Sequence, residues 1–253
     1  MNRGFVIMAQ NTTDTDYIAC ATQLEKSIKR VMPNESVTII TSAILPYGDL
    51  APNSDWKLIN DWQVYEASPY EYTIKIEADM IVPSDITYLF DILSHRDICL
   101  CTTIRDYKGV ISTSRFYRKF IDDNSLPDVY NAITYFKKSE IAKTFFEIVR
   151  NVFENWEEYK NILICNTDEI ATTDWAYAIA SHILGKEKTT IPNLTQLSMT
   201  HMKQFINNLI TEDWTKELVY ELTDIVKINT YPQRYPFHYH IKSFSDTLRV
   251  HYG

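Results

Sequence analysis

The chain has 253 residues, 45% of them apolar, enough to bury a substantial core in one large globular unit. A formal net charge of -8 argues against a protein that binds polyanions over its whole surface and leaves only local basic sites open. The five glycines, at 4, 48, 109, 185 and 253, are never clustered. That excludes the GxGxxG turn and the P-loop, whose phosphate-cradling amides need grouped glycines. A bound nucleotide would have to be held by metal and basic side chains.

The cysteines at 20, 99, 101 and 165 form no CxxC pair, which fits reduced thiols, and core packing is the expectation for Cys99 and Cys101. The N-terminal apolar run Phe5 to Ala9 is too short for a signal segment, and no stretch approaches a membrane span. A soluble, cytoplasmic protein is expected.

Strand and helix signals alternate along the first half: strand 4–9, helix 16–31, strand 36–41, strand 72–82, helix 85–93 and strand 97–103. Asp14 or Thr15 can cap the first helix, which has Ile18, Leu24, Ile28 and Val31 on its apolar side. The preceding loop, Gln10, Asn11 and Thr12, falls at the carboxyl edge of the first strand, where open α/β sheets place ligands. It suits a base or ribose as well as it suits an ordinary connector. A strand over 132–136, helices over 139–152 and 173–184, and two amphipathic helices within 194–226 follow, with Thr211 as a cap. The last stretch, with two prolines and many aromatic rings, reads as an irregular, ordered basic tail. The expected class is α/β: a single domain over 1–253, with a mixed, mostly parallel sheet flanked by helices and a helical C-terminal portion. Residues 1–104 and 105–253 are read as its two halves.

Within YTIKIEADMIVPSD, Glu77 and Asp79 are spaced i, i+2, so a continuous strand would direct both carboxylates to one side. Holding like carboxylates together costs free energy unless a cation or proton offsets it, and a hard divalent metal is the simplest offset. A strand end dipping into solvent before Pro83 is the plain alternative. In the tail, His238, His240 and Lys242 alternate like strand neighbours, so a histidine could face that metal while Lys242 meets a diphosphate.

An acid-x-acid strand end, a later small-polar strand and a terminal His-x-Lys segment resemble the GT-A glycosyltransferases. In that family the acid pair holds manganese or magnesium against the diphosphate of a nucleotide sugar, here with Glu77 in the first position. The resemblance implies Glu77, Asp79 and His240 as metal ligands, with Mn2+ or Mg2+ as cofactor. YNAITYFK resembles the FNSGVMVF strand of the glycogenin-like branch and places Asn131 near the sugar hydroxyls. His240-Ile241-Lys242 is similar to that branch's HxGxxK segment in shortened form. The implied donor is a nucleotide-diphosphate sugar, UDP-linked by default, with Gln10, Asn11, Thr12, Lys75, Asn131 and Lys242 as donor-binding residues. The resemblance makes Asp168, Glu169 and Asp174 candidates for the sugar-side or catalytic acid, while capping of a helix N-terminus, which favours acids in any case, explains Asp174 equally well.

Residues 105–119 carry five basic side chains against one acid, with aromatic rings interleaved. Arg105, Lys108, Arg115, Tyr117 and Arg118 suit a phosphodiester backbone and an unstacked base, or form a flexible solvated loop. The chain also looks like the sugar transferases with which tailed phages decorate 5-hydroxymethylcytosine in DNA. That likeness implies a DNA acceptor and, for a phage-encoded chain, the host cytoplasm. Two further readings are a glycosyltransferase acting on a surface polysaccharide or lipid, and a noncatalytic nucleic-acid-binding protein whose acid pair is structural. A metal nuclease is less well supported, for want of a further acid cluster.

Overall fold

The computed structural model describes residues 2–43, 47–164 and 169–252. Its strands are β1 (Arg3–Met8), β2 (Ser36–Ile40), β3 (Tyr72–Ile76), β4 (Met80–Ile81), β5 (Ile98–Cys101) and β6 (Thr103–Arg105). They continue with β7 (Tyr130–Lys137), β8 (Ser198–His201), β9 (Tyr220–Leu222), β10 (Val226–Ile228), β11 (Tyr231–Pro232) and β12 (Phe237–His238).

The central sheet runs β2-β1-β3-β7-β5. β1 pairs in parallel with β2 and β3, whereas β7 is antiparallel to both β3 and β5. Four of its five strands, β1, β2, β3 and β5, therefore run the same way and β7 runs against them, the mixed, mostly parallel sheet that the sequence suggested. β1 is an inner strand, and Phe5, Val6 and Ile7 are fully buried, as its unbroken apolar run requires. Gly4 is needed for close approach, since a Cβ there would meet the Tyr70 ring at 2.5 Å.

Helix Tyr17–Val31 packs Cys20, Ala21, Leu24 and Ile28 into the core. Each large aliphatic side chain so buried stabilises by roughly 1.5–3 kcal/mol. The helix is capped by Asp16, whose carboxylate accepts from the Ala19 amide at 3.0 Å, one residue beyond the expected caps, and Ile18 stays exposed. Elsewhere in the core, Phe145, Phe146 and Val149 of helix Glu140–Glu154 meet Tyr177 and Ala180 of helix Thr173–Leu184. Cys99 and Cys101 are buried in the core, which pushes their thiols up to about 11 and about 12.

A second sheet, β4-β12-β8-β6, lies along the chain's turn out of β3. Its inner strands correct two expectations. Residues 194–226 hold β8, the short helix Gln204–Asn207, a 3-10 turn at Trp214–Lys216, β9 and β10, and no pair of amphipathic helices. β8 forms because parallel pairing with β6 and β12 overrides local propensity. Asp213, not Thr211, accepts the capping hydrogen bond of the 3-10 turn. The tail is regular at three points: β11 pairs with β10, β12 joins the second sheet, and helix Phe244–Tyr252 buries Phe244 and Leu248. Among the described residues no helix is long and apolar enough to cross a membrane.

Candidate functional site

The predicted strand 72–82 breaks at the acid pair. Glu77, Ala78 and Asp79 form the turn by which the chain leaves β3 in one sheet and enters β4 in the other. The break divides the two carboxylates. Glu77 Oε1 accepts from the Asn131 amide at 2.8 Å, while Asp79 Oδ2 lies 2.9 Å from His238 Nε2 and pairs with the Lys242 ammonium. Both acids still converge on His238, whose Nε2 is 3.9 Å from Glu77 Oε2. Burial pushes the Glu77 carboxyl up, only partly offset by His238 and Lys75. Burial acts in the same direction on Asp79, but His238 and Lys242 outweigh it and hold that carboxyl well below the usual range.

Strand pairing brings the histidines to Asp79. In β12, His238 sits opposite Met80 of β4 and opposite His201 of β8, and the Tyr239 amide donates to the Asp79 carbonyl at 3.3 Å. The His201 and His238 ring centroids are 4.7 Å apart, and the His240 ring lies 5.9 Å from that of His238. His240 has a left-handed backbone, φ 62°, a conformation that costs a non-glycine residue roughly 1 kcal/mol or more and clusters at functional sites.

Asp79, His238 and His240 each bring a potential ligand atom, all within 4.8 Å of one another. The chemistry fits a divalent cation. Burial, with help from His238 and Lys242, lowers His240 to about 4, so its ring is neutral and its lone pair free at pH 7. His238 Nδ1 is buried without a hydrogen-bond partner. Two imidazoles and one carboxylate suit Mn2+ better than Mg2+, which prefers all-oxygen surroundings. Of the expected metal residues, Asp79 and His240 belong to this group; Glu77 is engaged by Asn131 beside it, and His238 takes the third place.

These residues line a cavity of about 510 Å³. Lys75 and Asp61 also line it as a buried ion pair, 2.8 Å apart. Tyr177 donates to Asp61, and Lys75 donates to the Asn131 carbonyl at 3.2 Å. Gln10 and Thr12 line the same cavity, but Asn11 does not: its side chain accepts from the Ile18 amide at 2.9 Å and fixes the start of the first helix.

Asp174 lines the cavity too, its carboxylate accepting from Arg118 at 2.6 Å, while Thr172 caps that helix. Glu169 is exposed and belongs to a separate shallow depression beside Phe153 and Trp156. Asp168 lies outside the described residues.

The basic run 105–119 is not the free cationic loop that its composition suggests. Arg118 is only 1% exposed and bonds to Asp128, Asp174 and the Val129 carbonyl. Arg115 is bridged to Asp122 and Asp128. Arg105 is buried, donating to Ser198 Oγ and to the Gly109 and Thr195 carbonyls. Of the five basic residues only Lys108 and Lys119 are exposed without an ion-pair partner among the described residues. Tyr117 lines the cavity.

The sequence pattern gave no sign of His201, Asp61 or Lys203, which also line the cavity. His201 sits in a strand that periodicity assigned to a helix, and Asp61 is drawn in by partners 14 and 116 residues away.

No protein-family model matches the chain, and no curated protein does. Among solved structures it is similar to the glycosyltransferase GlyE of Streptococcus pneumoniae TIGR4, with 12% identity and a TM-score of 0.42 over 74% of this chain and 45% of that one. It is similar to the bifunctional glycosyltransferase WbbM, with 14% identity and a TM-score of 0.45 over 76% and 39% of the two chains. A third likeness is to the galactosyltransferase LgtC in complex with donor and acceptor sugar analogues, with 11% identity and a TM-score of 0.46 over 79% and 73%. The chain thus spans less than half the length of GlyE and WbbM. What chemistry is open to it depends on its own side chains.

Proposed function

We propose that this chain is a metal-dependent glycosyltransferase that moves a sugar from a nucleotide-diphosphate donor, UDP-linked by default, to a hydroxyl acceptor. The observation that carries this reading is the meeting of Asp79, His238, His240 and Lys242 at one cavity of about 510 Å³, a volume suited to a small-molecule ligand. A divalent ion held by Asp79, His238 and His240 would stabilise the charge that develops on the departing diphosphate. Lys242 supplies a second, protein-borne positive charge for the same diphosphate, its ammonium state favoured by Asp79 although burial opposes it.

Gln10 and Thr12 take the base or ribose, and Asn131, oriented by Glu77 and anchored by Lys75, takes the sugar hydroxyls. Asp174 is the carboxylate available to accept a proton from, or hydrogen-bond to, a hydroxyl in the cavity, and Arg118 holds it in place. The acceptor expected from the basic run, DNA bearing 5-hydroxymethylcytosine, retains Lys108 and Lys119 as exposed phosphate contacts. Binding to such DNA that weakens steeply with salt would favour it.

The test is incubation with a panel of nucleotide sugars and Mn2+, reading release of the nucleoside diphosphate in wild type and in Asp79→Asn. Release that requires Asp79 supports the reading. If no donor is turned over or bound, a noncatalytic nucleic-acid-binding protein with a structural acid pair takes its place.

A further inference from the structure

One wall of the cavity is rich in donors and short of acceptors. β8 ends at His201, but the Met202 amide still donates to the His238 carbonyl, and the backbone is extended at Lys203, φ -80° and ψ 148°. His201 and Lys203, spaced i, i+2, therefore leave the chain on one side. Both line the cavity, while Met202 between them is fully buried. Lys203 Nζ lies 4.7 Å from the centre of the Tyr117 ring, which lines the cavity as well. Of the cavity's acids, Asp79 pairs with His238 and Lys242, Asp174 with Arg118, and Asp61 with Lys75; among the described residues none pairs with Lys203. The Tyr117 hydroxyl and His201 Nδ1 are buried without hydrogen-bond partners. The rings follow one another from the metal group, His238 to His201 at 4.7 Å and His201 to Tyr117 at 6.5 Å between centroids. Arg118, next after Tyr117, holds Asp174. Lys203 thus belongs to the Asp174 end of the cavity and Lys242 to the Asp79 end.

Resting on the glycosyltransferase reading for what occupies the Asp79 end, we propose that Lys203, with His201 and Tyr117 beside it, is a second anion subsite. It takes a carboxylate or phosphate carried by the transferred sugar or by the acceptor. An anion supplies the acceptor oxygens that this wall lacks. A lysine without a counter-ion in a partly enclosed cavity gains more from a charged group than from a neutral hydroxyl, because charge-assisted hydrogen bonds are the stronger ones and the local dielectric is below that of water. Buried polar groups without partners are rare, and a ligand with several acceptor oxygens satisfies them.

The experiment is calorimetry on the full chain with Mn2+, titrating UDP, UDP-glucose and UDP-glucuronic acid, and then glucose, glucuronic acid and glucose 6-phosphate into the UDP-loaded protein. Wild type is compared with Lys203→Met, which keeps the stem and loses the charge, and with Lys203→Arg. If the transferred sugar carries the anion, UDP-glucuronic acid binds about tenfold tighter than UDP-glucose in wild type. If the acceptor carries it, glucuronic acid or glucose 6-phosphate binds the loaded protein about tenfold tighter than glucose. Either preference is expected to vanish in Lys203→Met and to persist in Lys203→Arg, with the affinity for UDP itself unchanged. Absence of any preference in wild type that binds UDP overturns the proposal, as does a preference that survives Lys203→Met. A loss of UDP affinity in Lys203→Met equal to the loss for the anionic probes also overturns it, because Lys203 then belongs to the diphosphate. Failure of UDP to bind at all is a different result and removes the glycosyltransferase reading beneath it. Glucose 6-phosphate titrated into the UDP-free protein then decides the subsite alone: binding that depends on Lys203 supports it, and no such binding overturns it.

Discussion

Asp79 and His238 lie 159 residues apart in sequence and 2.9 Å apart in space. The contact follows from register: β12 pairs with β4, the residue opposite His238 is Met80, and Asp79 is the last residue before that strand. Any ligand that binds Asp79 therefore also reads whether the C-terminal segment is docked.

Metal choice follows from the donor atoms. With two imidazoles in the set, Mn2+ is expected to raise the melting temperature more than equimolar Mg2+. At 100 times its dissociation constant an ion adds about 2.7 kcal/mol, or several degrees for a chain of this size. Scanning with each ion after chelator treatment checks this, and an equal or greater shift with Mg2+ contradicts the proposed ligands.

The Lys75–Asp61 pair is expected to show the asymmetry of buried ions. Lys75→Met leaves Asp61 as an uncompensated buried charge, with Tyr177 as its remaining side-chain donor among the described residues, at a cost of roughly 3–5 kcal/mol. Lys75→Met combined with Asp61→Leu restores part of that loss. Urea denaturation of the single and double variants measures the difference.

Acid should unfold the metal-free protein through its buried histidines. Burial, followed by His238, lowers both His201 and His240 in the folded chain, His240 to about 4, whereas unfolding restores the ordinary value near 6.5. Below that value the unfolded state binds more protons, so the stability these rings contribute is complete above about pH 6.5 and falls as pH drops toward 4. Each neutral histidine adds a slope of about 1.4 kcal/mol per pH unit within that interval. Denaturant midpoints between pH 4 and 7 with chelator present, for wild type and His201→Gln, should show a shallower slope in the variant.

Removing the Arg118 clamp is expected to cost both stability and turnover. Arg118→Gln removes the cation shared by Asp128 and Asp174, of which Asp128 keeps Arg115, a loss of about 1–3 kcal/mol. Activity per folded molecule should fall because Asp174 is no longer fixed. Asp174→Asn should lower turnover while leaving UDP affinity unchanged, as calorimetry beside steady-state rates would show.

Much of this architecture is readable along the chain. Strand 4–9, the helix after it and helix 173–184 follow from unbroken apolar runs and 3.6-residue spacing. Asp79, His240, Lys242 and Asn131 are visible as residue types whose chemistry converges, and all four line the cavity. What stayed hidden depends on partners that local patterns do not encode. The chain changes sheets at Glu77–Asp79 because β12 returns to pair with β4. β8, and with it His201, exists only through β6 and β12. The basic run reads as a polyanion site because Asp122, Asp128 and Asp174, which neutralise it, lie outside the window of composition.

The most direct measurement is calorimetric titration of UDP and UDP-sugars into wild type and Asp79→Asn, with Mn2+ and without. Micromolar binding that needs both the ion and Asp79 is the predicted result. Binding that is equally tight in Asp79→Asn, or no binding of any nucleotide to wild type, would contradict the assignment of Asp79, His238, His240 and Lys242 to the donor diphosphate.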